Sequence, residues 1–285
     1  VMRIVSFCFV WVACLLVACS SRPSSGGSAM DDVAALTFWD DFDFSDSSMV
    51  GNSTVTEAMF LEFCRNLRDM TADERKEEID SLLHRSETGA SGMFQYMMGL
   101  AEKYLYVPSS PYRNEECFMS FLDYYVQKGN LKSAYDIRYT YLWKQLRKNR
   151  VLTVANDFAY ICRDGRASTL HSIKAPYTLV FFYKPECPDC DRILDCLAKS
   201  DICCNLVGSG QLKVLAIYAG LSFPLWEKNK GKFPSSWISA RFTIGGDRKK
   251  YNLPVLPSLY LLDKDKVVLV KDGSVEEVED YLKTI

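Results

Sequence analysis

Two thiols three residues apart are the part of this chain best suited to chemistry: Cys187 and Cys190, in the run Lys184-Pro185-Glu186-Cys187-Pro188-Asp189-Cys190. In such a C-x-x-C pair one thiolate attacks a disulfide, and the other thiol displaces the product from the mixed disulfide that forms. The pair must sit where the first sulfur can be reached and activated. Residues 177–183, Tyr-Thr-Leu-Val-Phe-Phe-Tyr, are a continuous apolar run of the kind buried on both faces of a central sheet. A helical pattern over residues 192–199 follows the pair. A strand-to-helix junction predicts Cys187 exposed at a helix N-terminus, where free amides and the dipole favour its thiolate, and Cys190 one turn inside.

Half a zinc site is the competing reading of the spacing. A structural zinc takes four ligands, usually from two C-x-x-C pairs or from one pair and spaced histidines. The chain has only His84 and His171, and the nearby thiols are Cys196 and the adjacent Cys203 and Cys204, which make no second pair. Cys196, six residues after Cys190, falls about 240° around a helix and faces away. No metal is expected. Peroxide reduction would need Thr and Arg clustered beside the thiolate, and the sequence around Cys187 has no such cluster.

The elements that must hold the dithiol lie in residues 151–285, where short β-branched and aromatic runs replace helical periodicity. Residues 158–170 read as a hairpin turning at Asp164-Gly165, and residues 212–218 as a second buried strand. Leu225-Trp226 opens a helix; residues 253–263 lead to a strand at 267–270 and a terminal helix near 275–283. Upstream, residues 37–150 read as an all-helical domain. Thr71 and Glu74 form a capping box before a helix that stops at Gly89. Another helix runs from Asn114 to Lys128, with Cys117, Phe118, Phe121, Leu122 and Tyr125 on one face and Gly129 beyond it. Further helices are expected near residues 55–69, 91–105 and 131–148. Cys64, Cys117 and Cys162 read as small hydrophobes in a core, leaving Cys196, Cys203 and Cys204 with room for one extra bridge. Phe38, Trp39, Phe42 and Phe44, interleaved with aspartates, are expected to pack on the helices, and the basic run Lys144 to Arg150 to be a solvated helix C-terminus.

At the N-terminus Arg3 precedes an uncharged apolar run, residues 4–18, shorter than the ~20 residues of a comfortable membrane span. It ends Leu16-Val17-Ala18-Cys19, which resembles the bacterial lipobox. That resemblance implies a signal peptide over residues 1–18 and diacylation of Cys19, anchoring the chain through acyl chains at ~0.8 kcal/mol per buried methylene. The Ser- and Gly-rich residues 19–36 read as a flexible tether. With 48% hydrophobic residues, 25% charged and a net charge of −2, the composition points neither to wholesale disorder nor to a polyanion-binding surface, and nucleic acid is not an expected partner.

Residues 152–285 resemble the thioredoxin-like fold, in particular the TlpA-type envelope thiol-disulfide oxidoreductases. The whole chain, including Phe38-Trp39-Asp40 and the stretch from Glu102 to Glu116, is similar to envelope lipoproteins that place an uncharacterised helical domain before a thioredoxin-like one. The resemblance implies an α/β C-terminal domain behind an all-α domain. It makes Cys187 the nucleophile, Cys190 the resolving thiol, and Leu256-Pro257 the substrate-binding loop, with Pro257 as a cis-proline facing the dithiol. It implies no cofactor, disulfide-bearing envelope proteins and a thiol electron donor as partners, and a lipid-anchored place at the outer membrane facing the periplasm. Two departures stand out. The family's buried acid falls at Phe181, and the dithiol is modulated by Pro188 and by Glu186 and Asp189, whose carboxylates oppose a thiolate. A reductant or isomerase is therefore expected rather than a strong oxidant. The alternative is a lipid-anchored binding or assembly module whose thioredoxin-like domain is structural.

Overall fold

The computed structural model describes residues 38–129, 134–243 and 247–285. The signal peptide, Cys19 and the whole tether over residues 19–36 lie outside the described residues, as does the start of the helix expected from residue 131. Five helices come first: α1 (Thr56–Asn66), α2 (Ala72–Thr88), α3 (Met93–Ala101), α4 (Glu115–Gln127) and α5 (Ala134–Leu146). Thr71 caps α2 reciprocally with Glu74. Asn114 caps α4 by accepting the Cys117 amide at 3.0 Å, and Gly129 takes the left-handed conformation (φ +63°) after it. After α3 the chain widens into one π-helical turn, Glu102–Tyr106. Trp39, 1% exposed, meets Phe42 and Phe63 edge-on at 5.3 and 5.5 Å, so the acidic-aromatic strip belongs to the helical core.

The second part is a seven-stranded mixed sheet. Its strands are β1 (Ala159–Cys162), β2 (Ala167–Thr169), β3 (Tyr177–Tyr183), β4 (Leu212–Tyr218), β5 (Ile238–Phe242), β6 (Ser258–Leu262) and β7 (Val268–Lys271), in the order β2-β1-β5-β4-β3-β6-β7. The hairpin turn places Gly165 at φ +87°, open to glycine at no steric cost. β3 pairs in parallel with β4 and antiparallel with β6. Its side chains alternate between two cores. Leu179, Phe181 and Tyr183 face one with α6 (Pro188–Lys199), α7 (Asp201–Gly208), α8 (Phe223–Asn229) and α9 (Val275–Leu282). Val180 and Phe182 face the other with Phe158, Leu170, Ile173 and Tyr251. β5 and α7 have no counterpart in the sequence reading: β5 is short and interrupted by Arg241, and α7 begins one residue after α6 ends. Cys162 is only half-buried rather than a full core residue.

The stretch after α5 corrects the reading of a solvated basic terminus. Lys144 and Arg147 are exposed, but Asn149 is buried at φ +51° and donates to the Lys250 carbonyl at 3.0 Å, while Lys148 Nζ donates to the Lys249 carbonyl at 2.8 Å. Residues 152–155 then hydrogen-bond to residues 266–268, so the chain enters the second part already tied to it. Beside this seam, Arg113 pairs with Asp272 and Lys271 with Glu115, both at 2.5 Å. Lys271 also donates to the Leu146 carbonyl at 2.9 Å, and its side chain is 4% exposed. Burial raises the Glu115 carboxyl above its ordinary pKa, while Lys271 and Arg113 pull it back.

Lys271→Met keeps the stem but leaves the buried Glu115 carboxylate with only its longer contact to Arg113 at 3.7 Å, and is expected to cost about 3 kcal/mol in denaturant unfolding. Lys76→Met, which removes the partly exposed α2 pair with Asp80, should cost under about 1 kcal/mol; equal losses would contradict the buried network.

Candidate functional site

β3 ends at Tyr183, and within four residues the chain has turned into α6. Glu186 makes that turn at φ +56°, an uncommon conformation for a residue with a side chain, and Pro188 occupies the first turn of the helix, where its missing N–H costs nothing. Cys187 is the N-cap residue. Its Sγ accepts the Cys190 amide at 3.2 Å, the place usually taken by a Ser or Asp oxygen. The thiol is not exposed as the sequence reading had it: Cys187 is 6% exposed. The cover comes from the loop before β6, where the Leu256-Pro257 peptide is cis and the Leu256 carbonyl lies 3.8 Å from Cys187 Sγ as an acceptor.

Cys190 lies beneath, 1% exposed. Burial raises its thiol pKa first, and its hydrogen bond to Cys187 adds to the shift; the Lys184 backbone amide and the Lys232 charge work in the opposite direction. Phe181 stands at the family's acid position, fully buried against Tyr183 and Phe233 with ring centroids 5.8 and 6.2 Å away. Such a place could not hold an unpaired carboxylate cheaply. The charged group that does reach this neighbourhood is Lys232. It pairs with Asp191 of α6 at 2.5 Å and lies 5.7 Å from the Tyr183 ring centroid. Lys232 follows α8, more than forty residues after the dithiol, and no local spacing marks it in the sequence.

The carboxylates read as modulators stand in water. Glu186 is exposed, and Asp189, with a side chain 72% exposed, pairs with Arg192 at 3.4 Å. Water screens both, and Arg192 offsets the charge of Asp189. Cys196 and Cys204 are exposed free thiols and Cys203 a buried one, so the bridge left open among them is not formed. Burial pushes Cys64 up to about 12 and Cys117 up to about 11. Among the described residues no group of three or more His, Cys, Asp or Glu is placed to hold a metal, and no helix is long and apolar enough to cross a membrane.

A dithiol at a helix N-cap after a central strand, faced by a cis-proline loop on a mixed sheet, defines a thioredoxin-like site. Comparison with known proteins agrees. A thioredoxin-like protein from Bacteroides caccae matches at 30% identity over 86% of this chain and 89% of that one, with a TM-score of 0.82. The chain belongs to this thioredoxin-like family, as an N-terminal helical domain followed by a thioredoxin-like domain. Residues 35–149 match a domain of unknown function (DUF5106). The C-terminal domain of an uncharacterized protein from Bacteroides fragilis is 34% identical over 48% of this chain and 99% of that one (TM-score 0.44). A domain of a possible thiol-disulfide isomerase from Cytophaga hutchinsonii is 23% identical over 47% of this chain and 92% of that one (TM-score 0.40). No curated protein matches the chain.

Burial beneath Cys187 is the largest cause of the raised Cys190 pKa. Release of a mixed disulfide on Cys187 by Cys190 should therefore accelerate about tenfold per pH unit between pH ~7 and ~9, and Lys232→Met should move the profile to higher pH. Stopped-flow product release reads both, and a flat profile, or one that Lys232→Met leaves in place, contradicts them. Thiol labelling of the native protein should reach Cys196 and Cys204 and spare Cys64 and Cys117 until unfolding, as mass spectrometry of labelled peptides would show.

Proposed function

We propose that this protein is a lipid-anchored thiol-disulfide oxidoreductase of the bacterial cell envelope, acting as a reductant or isomerase through Cys187 and Cys190. The observation that carries the reading is the pairing of an N-capping sulfur with a buried second thiol under the Leu256-Pro257 loop. The Cys187 thiolate attacks a substrate disulfide. Its S–S bond breaks, a Cys187–substrate bond forms, and the departing sulfur takes up a proton. Cys190, deprotonated, then attacks the Cys187 sulfur and expels the second substrate thiol. The substrate gains two electrons and the enzyme keeps a Cys187–Cys190 disulfide, which a thiol electron donor reopens. The chemistry requires no organic cofactor or metal. The loop backbone at Leu256 and Pro257 would hold the substrate segment.

The lipobox at residues 16–19 supports the address: diacylated Cys19 at the outer membrane, residues 19–36 as a tether, and the two domains in the periplasm. Partners are disulfide-bearing envelope proteins and a thiol donor. A second reading, a binding or assembly module with a structural thioredoxin-like domain, draws on the near-complete burial of Cys187 and the missing acid at Phe181.

Insulin reduction by the full chain separates them. Wild type should be active and Cys187→Ser at background, while Cys190→Ala should accumulate mixed disulfides in envelope extracts. An inactive wild type together with a Cys190→Ala protein that traps nothing leaves the binding module. A dithiol potential near the ~−120 mV of strong oxidants would overturn the direction assigned here.

A further inference from the structure

Beside the dithiol loop lies a cleft of about 780 Å³ built by both domains. It is lined by Asp189 and Ile193 of α6 and by Leu256 and Pro257, the loop whose Leu256 carbonyl lies 3.8 Å from Cys187 Sγ, and also by Pro108 and the Arg113 to Glu116 segment at the start of α4. Val151, in the connection between the domains, contributes to the lining as well. The helical wall is fixed. Arg113 and Glu115 are the residues that pair with Asp272 and Lys271 across the seam.

We propose that the N-terminal helical domain is one wall of the substrate cleft, and that the cleft takes an extended polypeptide segment with basic residues flanking its disulfide cysteine. This rests on the oxidoreductase reading of the dithiol.

Three features of the cleft carry the inference. Its volume falls in the range of pockets that enclose a ligand of many atoms, far larger than a single thiol. Its floor offers backbone: the β3–β6 register ends at Ser258, so the Val255 to Pro257 loop lies beyond the ladder, with Val255 half exposed, as strand addition by an extended segment requires. Its charge is one-sided. Three cationic and six carboxylate side chains line it. The cations are matched by Asp272, Glu115 and Asp189, and Glu116 is matched by Arg150 from outside the cleft. Glu276 and Glu277, at the start of α9, form no ion pair among the described residues. A cationic segment is drawn to that surplus, and salt weakens the attraction.

The test uses the full-length chain and three probes: hydroxyethyl disulfide, and two short peptides dimerised through one cysteine, flanked by lysines in one and by glutamates in the other. Wild type should favour the lysine peptide in kcat/KM by about fivefold or more, with the preference fading at high salt. Pro108→Trp and Val151→Trp, which crowd the helical side, should lower the ratio of peptide to hydroxyethyl disulfide turnover by about tenfold. Circular dichroism and Tm establish that each variant is folded. Absence of the charge preference, or an unchanged ratio in both folded variants, overturns the proposal. If wild type reduces none of the probes, the oxidoreductase reading is what has failed. The cleft is then judged by fluorescence anisotropy of the lysine peptide carrying serine for cysteine: weaker binding by the tryptophan variants supports the assignment, and equal or no binding removes it.

Discussion

β3 is hydrogen-bonded to a strand on each side and covered on both faces, and the dithiol depends on that constraint. A strand so enclosed has little polar tolerance, so its residues are Leu, Val, Phe and Tyr almost throughout, with Thr178 the buried polar exception. The same enclosure fixes where the strand stops. With Tyr183 locked between β4 and the packing beneath α6, the chain can turn only over residues 184–187, which delivers Cys187 to the helix N-cap and Cys190 to the interior. The charged pair whose lysine acts on Cys190 therefore stands at the border of the sheet, where Lys232 and Asp191 meet.

A second constraint acts between the domains. Opposite charges withdrawn from water are costly unless each finds its partner, and the four side chains Arg113, Glu115, Lys271 and Asp272 satisfy one another only when the helical domain is docked. The hydrogen bonds from residues 148–155 to residues 249–250 and 266–268 close the same seam from the connecting segment. Residues 38–285 accordingly form one compact unit rather than two independent bodies.

What could be read in the sequence follows from how local each signal is. The capping box at Thr71 and Glu74, the helix from near Asn114 with Gly129 beyond it, the Gly165 turn and the apolar run of β3 are all set by residues within a few positions, and each is found in place. The cis peptide before Pro257 came through the family resemblance, not through any local rule. The burial of Cys187 could not be seen, because its cover is a loop almost seventy residues downstream. Lys232, β5 and the charged seam were equally hidden: each is defined by a partner distant in the chain. Basic residues at 148–150 looked like a solvated helix end because nothing nearby shows that Asn149 and Lys148 would meet carbonyls a hundred residues away.

Cys64 and Cys117 sit within the helical core, both almost without exposed surface and both held protonated by burial. A thiol sealed in this way is kept from oxidants and from disulfide exchange by the packing around it. The contact of α1 with α4, where the Phe60 and Phe121 ring centroids lie 6.1 Å apart, is thus a chemical shield as much as a source of stability.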